Sequence, residues 1–307
     1  MDLKQLKIKL GKLVLDTPVL PASGTFGYGD ELQDVTDYKF LGAIITKTLT
    51  WEQTQGNPPP RIWEFENGLM NSIGLQNIGV RCFASEKLSC LKKLKKPIIV
   101  SVGGKSPEDI LKCIEFLDRK NGISAFELNL SCPNIKTSKI ISEDPRSTFN
   151  IIKKVKKITD KIIIAKLSPN VRDICETGIA AEEAGADILC AVNTYKGLYY
   201  DWNNKKMYTG GVSGSMIFPM ALRAVYELYQ KVSIPIIGVG GISSEKRALE
   251  MIFAGASAIG LGTFLIINPE LPMKICKFLI DYLKTNHTNL QSIIGLYNEK
   301  RQKETDC

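Results

Sequence analysis

The sequence predicts an α/β protein built as a (β/α)8 TIM barrel, on three observations. Short apolar runs of strand length alternate with longer amphipathic stretches. Eight such runs can be counted, and the longest irregular segments fall directly after presumed strand ends. Strands alternating with helices argue for a parallel sheet, and eight repeats for a closed barrel. Such a barrel takes about 250 residues, and the chain has 307.

Taken in order, residues 3–15 read as a short N-terminal β-hairpin with Gly11 near its turn, capping the N-terminal end of the barrel. The strand runs are 19–22, 43–46, 98–102, 125–130, 162–167, 188–192, 236–239 and 258–260. Their continuous apolar character fits strands buried on both faces. Helical patterns cover 107–118, 145–158, 176–184, 216–229 and 244–253, and 271–284 should be the final helix. Three long loops, 47–75, 131–144 and 193–214, follow strand ends, on the face where barrel active sites are built. No proline- or glycine-rich linker divides residues 1–307, so a single domain is expected. Residues 300–307 read as a polar tail.

Two other architectures are disfavoured. An open doubly wound sheet wants G-x-G-x-x-G after its first strand, and V-L-P-A-S-G-T-F-G does not supply it. The G-G-K-S at 103–106 is not a P-loop, because Ile99 stands where the first glycine is needed.

With 44% hydrophobic and 23% charged residues the chain is neither disordered nor fibrous. No apolar run reaches the 18 or more residues of a membrane span. The start, M-D-L-K-Q-L-K-I-K-L, lacks a signal-peptide core, so a cytoplasmic location is expected. Forty Lys+Arg against 32 Asp+Glu leave a mildly basic +8. Eight cysteines include no C-x-x-C pair, so no metal or iron–sulfur cradle is expected on this chain. The single histidine, His287, lies in the polar stretch T-N-H-T-N. Proton chemistry therefore falls to Cys, Lys, Tyr or a carboxylate.

The segment most informative about chemistry is N-L-S-C-P-N at 129–134, directly after a strand run. Cys132 stands where a barrel places catalytic residues, yet most free cysteines are small buried hydrophobes. Placement alone leaves the two readings about even. Asn129 and Asn134 offer amide donors and acceptors to a planar polar ring, or simply cap turns. Gly240–Gly241 and Gly262–Thr263 follow the last two strands, and could cradle a phosphate or make ordinary turns. Lys47 and Lys166 end strand runs and should point into the barrel mouth, whereas most lysines are solvated.

The segment resembles the active-site loop of dihydroorotate dehydrogenases, flavoenzymes of pyrimidine biosynthesis. The resemblance runs in family order over roughly residues 18–265. It includes P-A-S-G-T-F-G-Y-G at 21–29, I-T-K-T-L-T at 45–50, G-N-P-P-P-R at 56–61 and N-S-I-G-L-Q-N at 71–77. It continues through A-K-L-S-P-N at 165–170, A-V-N-T at 191–194, G-G-V-S-G at 210–214, G-V-G-G-I at 238–242 and A-I-G-L-G-T at 258–263.

The resemblance implies that FMN binds here and that Cys132 is the base. Cys132 would take a proton from C5 of dihydroorotate while hydride passes from C6 to the flavin, giving orotate. Substrate-contacting positions would be Lys47, Asn71, Asn129, Asn134, Asn193 and Thr194, with Ser72, Ile73, Gly74 and Leu75 supplying backbone and wall. Cofactor positions would be Ser23, Gly24, Lys47, Thr48, Asn129, Lys166, Val192, Gly214, Gly240, Gly241, Gly262 and Thr263. Lys166 would stabilise the anionic reduced ring. Ser101 stands where an asparagine at the flavin is usual and is left out of the site.

Within the family, N-S-I-G-L-Q-N and G-N-P-P-P-R-I-W-E resemble the class 1B catalytic subunit, which is favoured. That class passes electrons to NAD through a partner subunit carrying FAD and a 2Fe–2S cluster, in a heterotetramer. N-L-S-C-P-N reads like class 1A and keeps a fumarate-using enzyme open. Dihydropyrimidine dehydrogenases more often carry histidine where this chain has Asn134. tRNA dihydrouridine synthases would need an RNA-binding helical domain beyond the barrel. A non-enzymatic basic RNA- or partner-binding barrel suits the charge, but no Arg-rich or aromatic-basic cluster supports nucleic-acid binding.

Overall fold

A computed structural model of the chain describes residues 2–130 and 141–299. Cys132 and Asn134, and the tail 300–307, lie outside the described residues.

A 3-10 turn, Leu3–Leu6, leads into the expected hairpin of β1 (Ile8–Leu10) and β2 (Leu13–Leu15), which turns at Gly11. Both strands alternate buried and exposed residues, so the hairpin covers the core with one face. The strands that follow are β3 (Val19–Pro21), β4 (Ile44–Ile45), β5 (Ile62–Phe65), β6 (Gly68–Asn71), β7 (Ile98–Val102), β8 (Ala125–Asn129) and β9 (Ile162–Lys166). After them come β10 (Ile188–Ala191), β11 (Tyr195–Asp201), β12 (Lys206–Ser213), β13 (Ile236–Val239) and β14 (Ala258–Leu261).

Among the described residues, eight of these strands form one parallel sheet in the order β3-β14-β13-β10-β9-β8-β7-β4. They coincide with the eight runs read from the sequence to within a residue or two at each end. The seam between β3 and β4 is bridged on both sides. Gly42 N–H donates to Val19 O at 2.8 Å, and Ser23 Oγ donates to Thr46 O at 2.9 Å. The sheet thus curls into the predicted barrel. A Cβ on Gly42 would lie 2.1 Å from Thr17 O, a backbone atom. Gly42→Ala should therefore cost about 1–3 kcal/mol, read as a lower midpoint in chemical denaturation; an unchanged midpoint would show that the seam yields freely.

The helices fill the outside. In chain order they are α1 (Gly79–Cys82), α2 (Leu88–Lys93), α3 (Pro107–Asp118), α4 (Pro145–Val155), α5 (Ile174–Glu183), α6 (Phe218–Lys231), α7 (Glu245–Ala254), α8 (Thr263–Ile267), α9 (Leu271–Thr285) and α10 (Leu290–Ile293). A π turn, Phe83–Lys87, joins α1 to α2. Capping sets several starts: Ser106, Asp144 and Ser244 each accept the backbone N–H three residues on, and Pro107 and Pro145 open their helices. Asp173 caps Cys175, so α5 begins before residue 176, the start read from the apolar pattern. Lys156, at the end of α4, pairs with Asp187 at 3.0 Å and is only partly solvated.

The segments 47–75 and 193–214, expected as loops, are more ordered than that. They contribute the hairpins β5–β6 and β11–β12, which join in a four-stranded antiparallel sheet of order β11-β12-β6-β5. The turn of the second hairpin is held by Asp201, whose carboxylate accepts Asn203 and Asn204 N–H groups. Pairing of β12 with β6 sets Gly211 opposite Asn71 and Ser213 opposite Leu69.

Candidate active site

The C-terminal ends of the barrel strands open into a cleft of about 880 Å³. Every described residue that the sequence assigned to the site lines it, from Ser23 and Gly24 after β3 to Gly262 and Thr263 after β14. The β6 end and the β12 end form its roof.

A chain of polar side chains runs around the mouth. Thr48 Oγ1 is 3.2 Å from Ser23 Oγ, 3.0 Å from Ser101 Oγ, and accepts from Asn129 Nδ2 at 3.1 Å. Asn193 Nδ2 donates to Asn129 Oδ1 at 3.4 Å, and Asn193 Oδ1 accepts Thr194 N–H at 2.8 Å. Ser101 is fully buried behind Thr48 and does not line the cleft. Side chains from the ends of β3, β4, β7, β8 and β10 thus hold one another, which keeps the amides in one orientation.

On the roof, Asn71 Nδ2 donates to Gly211 O at 3.2 Å, tying β6 to β12 across the opening. The backbone from Ser72 to Leu75 is held by its neighbours. Asn57 N–H donates to Ile73 O at 2.9 Å, and Asn57 Nδ2 to Ser72 O at 2.9 Å. Asn57 and Gln76 also line the cleft and were not singled out from the sequence, although both lie inside motifs that were. Gln76 accepts from Arg61 Nη2 at 2.9 Å.

Two lysines enter the cleft at strand ends. Burial lowers the Lys47 ammonium below its ordinary range, and the nearby Arg61 guanidinium adds to the effect. Lys166 is almost completely buried, with Glu127 Oε1 3.8 Å from its Nζ. Glu127 is a further missed residue; its signal was a carboxylate inside the apolar run 125–130.

Burial pushes the thiol of Cys113 up to about 12, Cys276 to about 12 and Cys175 to about 11. None of the three lines the cleft. These are packing cysteines, poor sources of thiolate at neutral pH. No group of three or more His, Cys, Asp or Glu that could hold a metal occurs among the described residues.

The glycine loops meet the physical requirements of an anion cradle. Gly240 and Gly241 both have positive φ, 131° and 69°, and their N–H groups donate to no acceptor among the described residues. A Cβ on Gly241 would strike the Phe218 backbone at 2.7 Å, so the loop passes against the start of α6 as only glycine allows. Unused N–H groups at a cleft wall attract anions.

Barrels often hold a phosphate in the loops after their last two strands, and Gly240–Gly241 and Gly262–Thr263 stand there. The molecule falls on these grounds among barrel enzymes whose site opens at the C-terminal ends of the strands. Comparison with known proteins is narrower. The model of the family Dihydroorotate dehydrogenase matches residues 5–283, and the chain belongs to that family. It is 44% identical to the "Dihydroorotate dehydrogenase B (NAD(+)), catalytic subunit" of Endomicrobium trichonymphae, over 96% of this chain and 98% of the relative. It is 43% identical to the protein of the same description from Carboxydothermus hydrogenoformans, over 95% and 96%. The corresponding protein of Caldicellulosiruptor saccharolyticus is 40% identical, over 95% and 99%. No described helix is long and apolar enough to cross a membrane.

Proposed function

We propose that this chain is the catalytic subunit of an NAD-linked, class 1B dihydroorotate dehydrogenase, oxidising dihydroorotate to orotate in the cytoplasm. The observation that carries the reading is the convergence in one cleft of residues from motifs spread over the whole barrel, from Ser23 to Thr263. The names of the relatives favour the NAD-linked class.

FMN, when bound, supplies an acceptor for the hydride leaving C6 of dihydroorotate. The glycine loops 240–241 and 262–263, with Gly214, would hold its phosphate. Ser23, Gly24, Thr48, Asn129 and Val192 would line its ring and ribityl chain. Lys166 would stand as a fixed cation at the ring, and Lys47 between the ring and the substrate carboxylate. Asn71, Asn129, Asn134, Asn193 and Thr194 would bind the dihydropyrimidine by its amide edges, with residues 72–75 closing over it. The chain of hydrogen bonds around the mouth orients the Asn129 and Asn193 amides before substrate arrives, which lowers the cost of positioning. Cys132 would remove the C5 proton, and loss of that proton together with the C6 hydride leaves the C5–C6 double bond of orotate.

Electrons would leave through a separate subunit carrying FAD and a 2Fe–2S cluster, in a heterotetramer. Purified alone, the chain should show a flavin spectrum that dihydroorotate bleaches. It should reduce artificial dyes and leave NAD untouched. Efficient NAD reduction by the single chain would refute the partner requirement, and efficient fumarate reduction would assign it to class 1A.

A further inference from the structure

Below the cleft floor the barrel encloses a charge pair. Among the described residues, Glu127 at 1% exposure and Lys166 at 6% are the only buried charged side chains. They come from neighbouring strands. Asn129 of β8 stands opposite Lys166 of β9, so Glu127, two residues earlier on the same face, lies one layer deeper. Lys166 Nζ is 3.8 Å from Glu127 Oε1, and among the described residues that oxygen accepts no hydrogen bond. The two attract each other as charges, and the contact takes up none of the ammonium's donors. Lys166 itself lines the cleft.

A buried carboxylate is costly unless a cation or donors compensate it, and a buried ammonium likewise tends to shed its proton. We propose that Glu127 is a positioning residue: the buried counter-ion that keeps Lys166 protonated and holds its ammonium at the cleft floor, facing the flavin ring. The inference rests on the flavin reading above and deepens it. Without its charge, Lys166 could not favour the anionic reduced ring. The titratable groups acting on Lys166 are Glu127 from β8 and Cys190 from β10. Burial, the largest single influence, draws the ammonium down, and the neighbouring groups, Glu127 first among them, together more than offset it, leaving its proton affinity above the ordinary range. Burial pushes the Cys190 thiol well up, so it stays neutral beside the pair.

The test uses Glu127→Gln in the full chain, which keeps the shape and removes the charge. Lysines labelled with ¹³C at Cε report titration in the flavin-free protein, and Lys166→Met assigns the Lys166 signal. Glu127→Gln should lower the Lys166 midpoint by about two pH units; an unmoved midpoint overturns the proposal. In flavin-loaded Glu127→Gln the midpoint potential should drop below the wild-type trend as Lys166 loses its proton. A constant offset at every pH would mean that Glu127 acts on the ring directly, and the positioning role would fall. If Glu127→Gln does not fold, Glu127→Asp serves: it keeps the charge but withdraws it by one methylene, and should give a smaller drop in the same direction. An unmoved midpoint there is equally adverse. A wild-type chain that binds no flavin would sink the functional reading and the role of Lys166 with it. The flavin-free titration separates that failure from a failure of the pair.

Discussion

Cys132→Ser should leave FMN bound and slow flavin reduction by dihydroorotate about 10²–10⁴-fold, the usual worth of a positioned base. Serine keeps the size of the side chain but ionises far less readily without an activating partner. Among the described residues no other cysteine and no histidine lines the cleft. The buried thiols of Cys113, Cys175 and Cys276 are pushed to about 11 or 12 and stand outside the cleft. The single histidine, His287, is on the chain segment after α9. A free thiol has a pKa of about 8.5. Wild-type reduction should therefore climb with pH up to that region and then level, and the serine variant should lose that step. Stopped-flow mixing under anaerobic conditions reads both effects. Near wild-type reduction by the serine variant would remove Cys132 as the base.

The second large effect is expected at Lys166. Lys166→Met should weaken FMN binding at least tenfold and lower stability by roughly 3 kcal/mol or more, because Glu127 is left buried without its cation. Lys153→Met is the control. Lys153 is exposed on α4, with its ammonium 5.1 Å from the centre of the Phe149 ring, so the change should be within about 0.5 kcal/mol of neutral. Lys156 would be a poorer control, since its pairing with Asp187 gives it a structural role of its own. Flavin titration of the two variants, with thermal unfolding alongside, decides the matter. Equal losses in both would take Lys166 out of the site.

The barrel was legible because its strands are apolar on both faces. A run such as Ile162–Lys166 reads as a strand without reference to its neighbours, and the lysine at its end marks the mouth. The roof was not legible for a corresponding reason. Strand β11, Y-K-G-L-Y-Y-D, is only partly buried, so its pattern is weak, and its sheet also depends on β6. Side chains such as Ser23, Thr48 and Asn193 could be placed from motifs, but the hydrogen bonds that link them depend on which strands are adjacent. Glu127 shows the limit most clearly. The carboxylate in F-E-L-N was visible as a charge in an apolar run, whereas its pairing with Lys166 follows from the register of β8 on β9.

The roof also bears on the order in which the molecule assembles. Asn71 and Gly211 meet across 140 residues of chain, and strands so distant in sequence cannot find each other until something else has brought them close. That something is the barrel, whose neighbouring β-α units lie close in sequence and can form from local contacts. Most of the cleft's wall thus arises unit by unit, while its cover, like the β3–β14 pair that joins the barrel's first and last strands, requires the first third and the last third of the chain together. Ligand-binding capacity is in this sense a property of the finished fold, acquired at the end of folding.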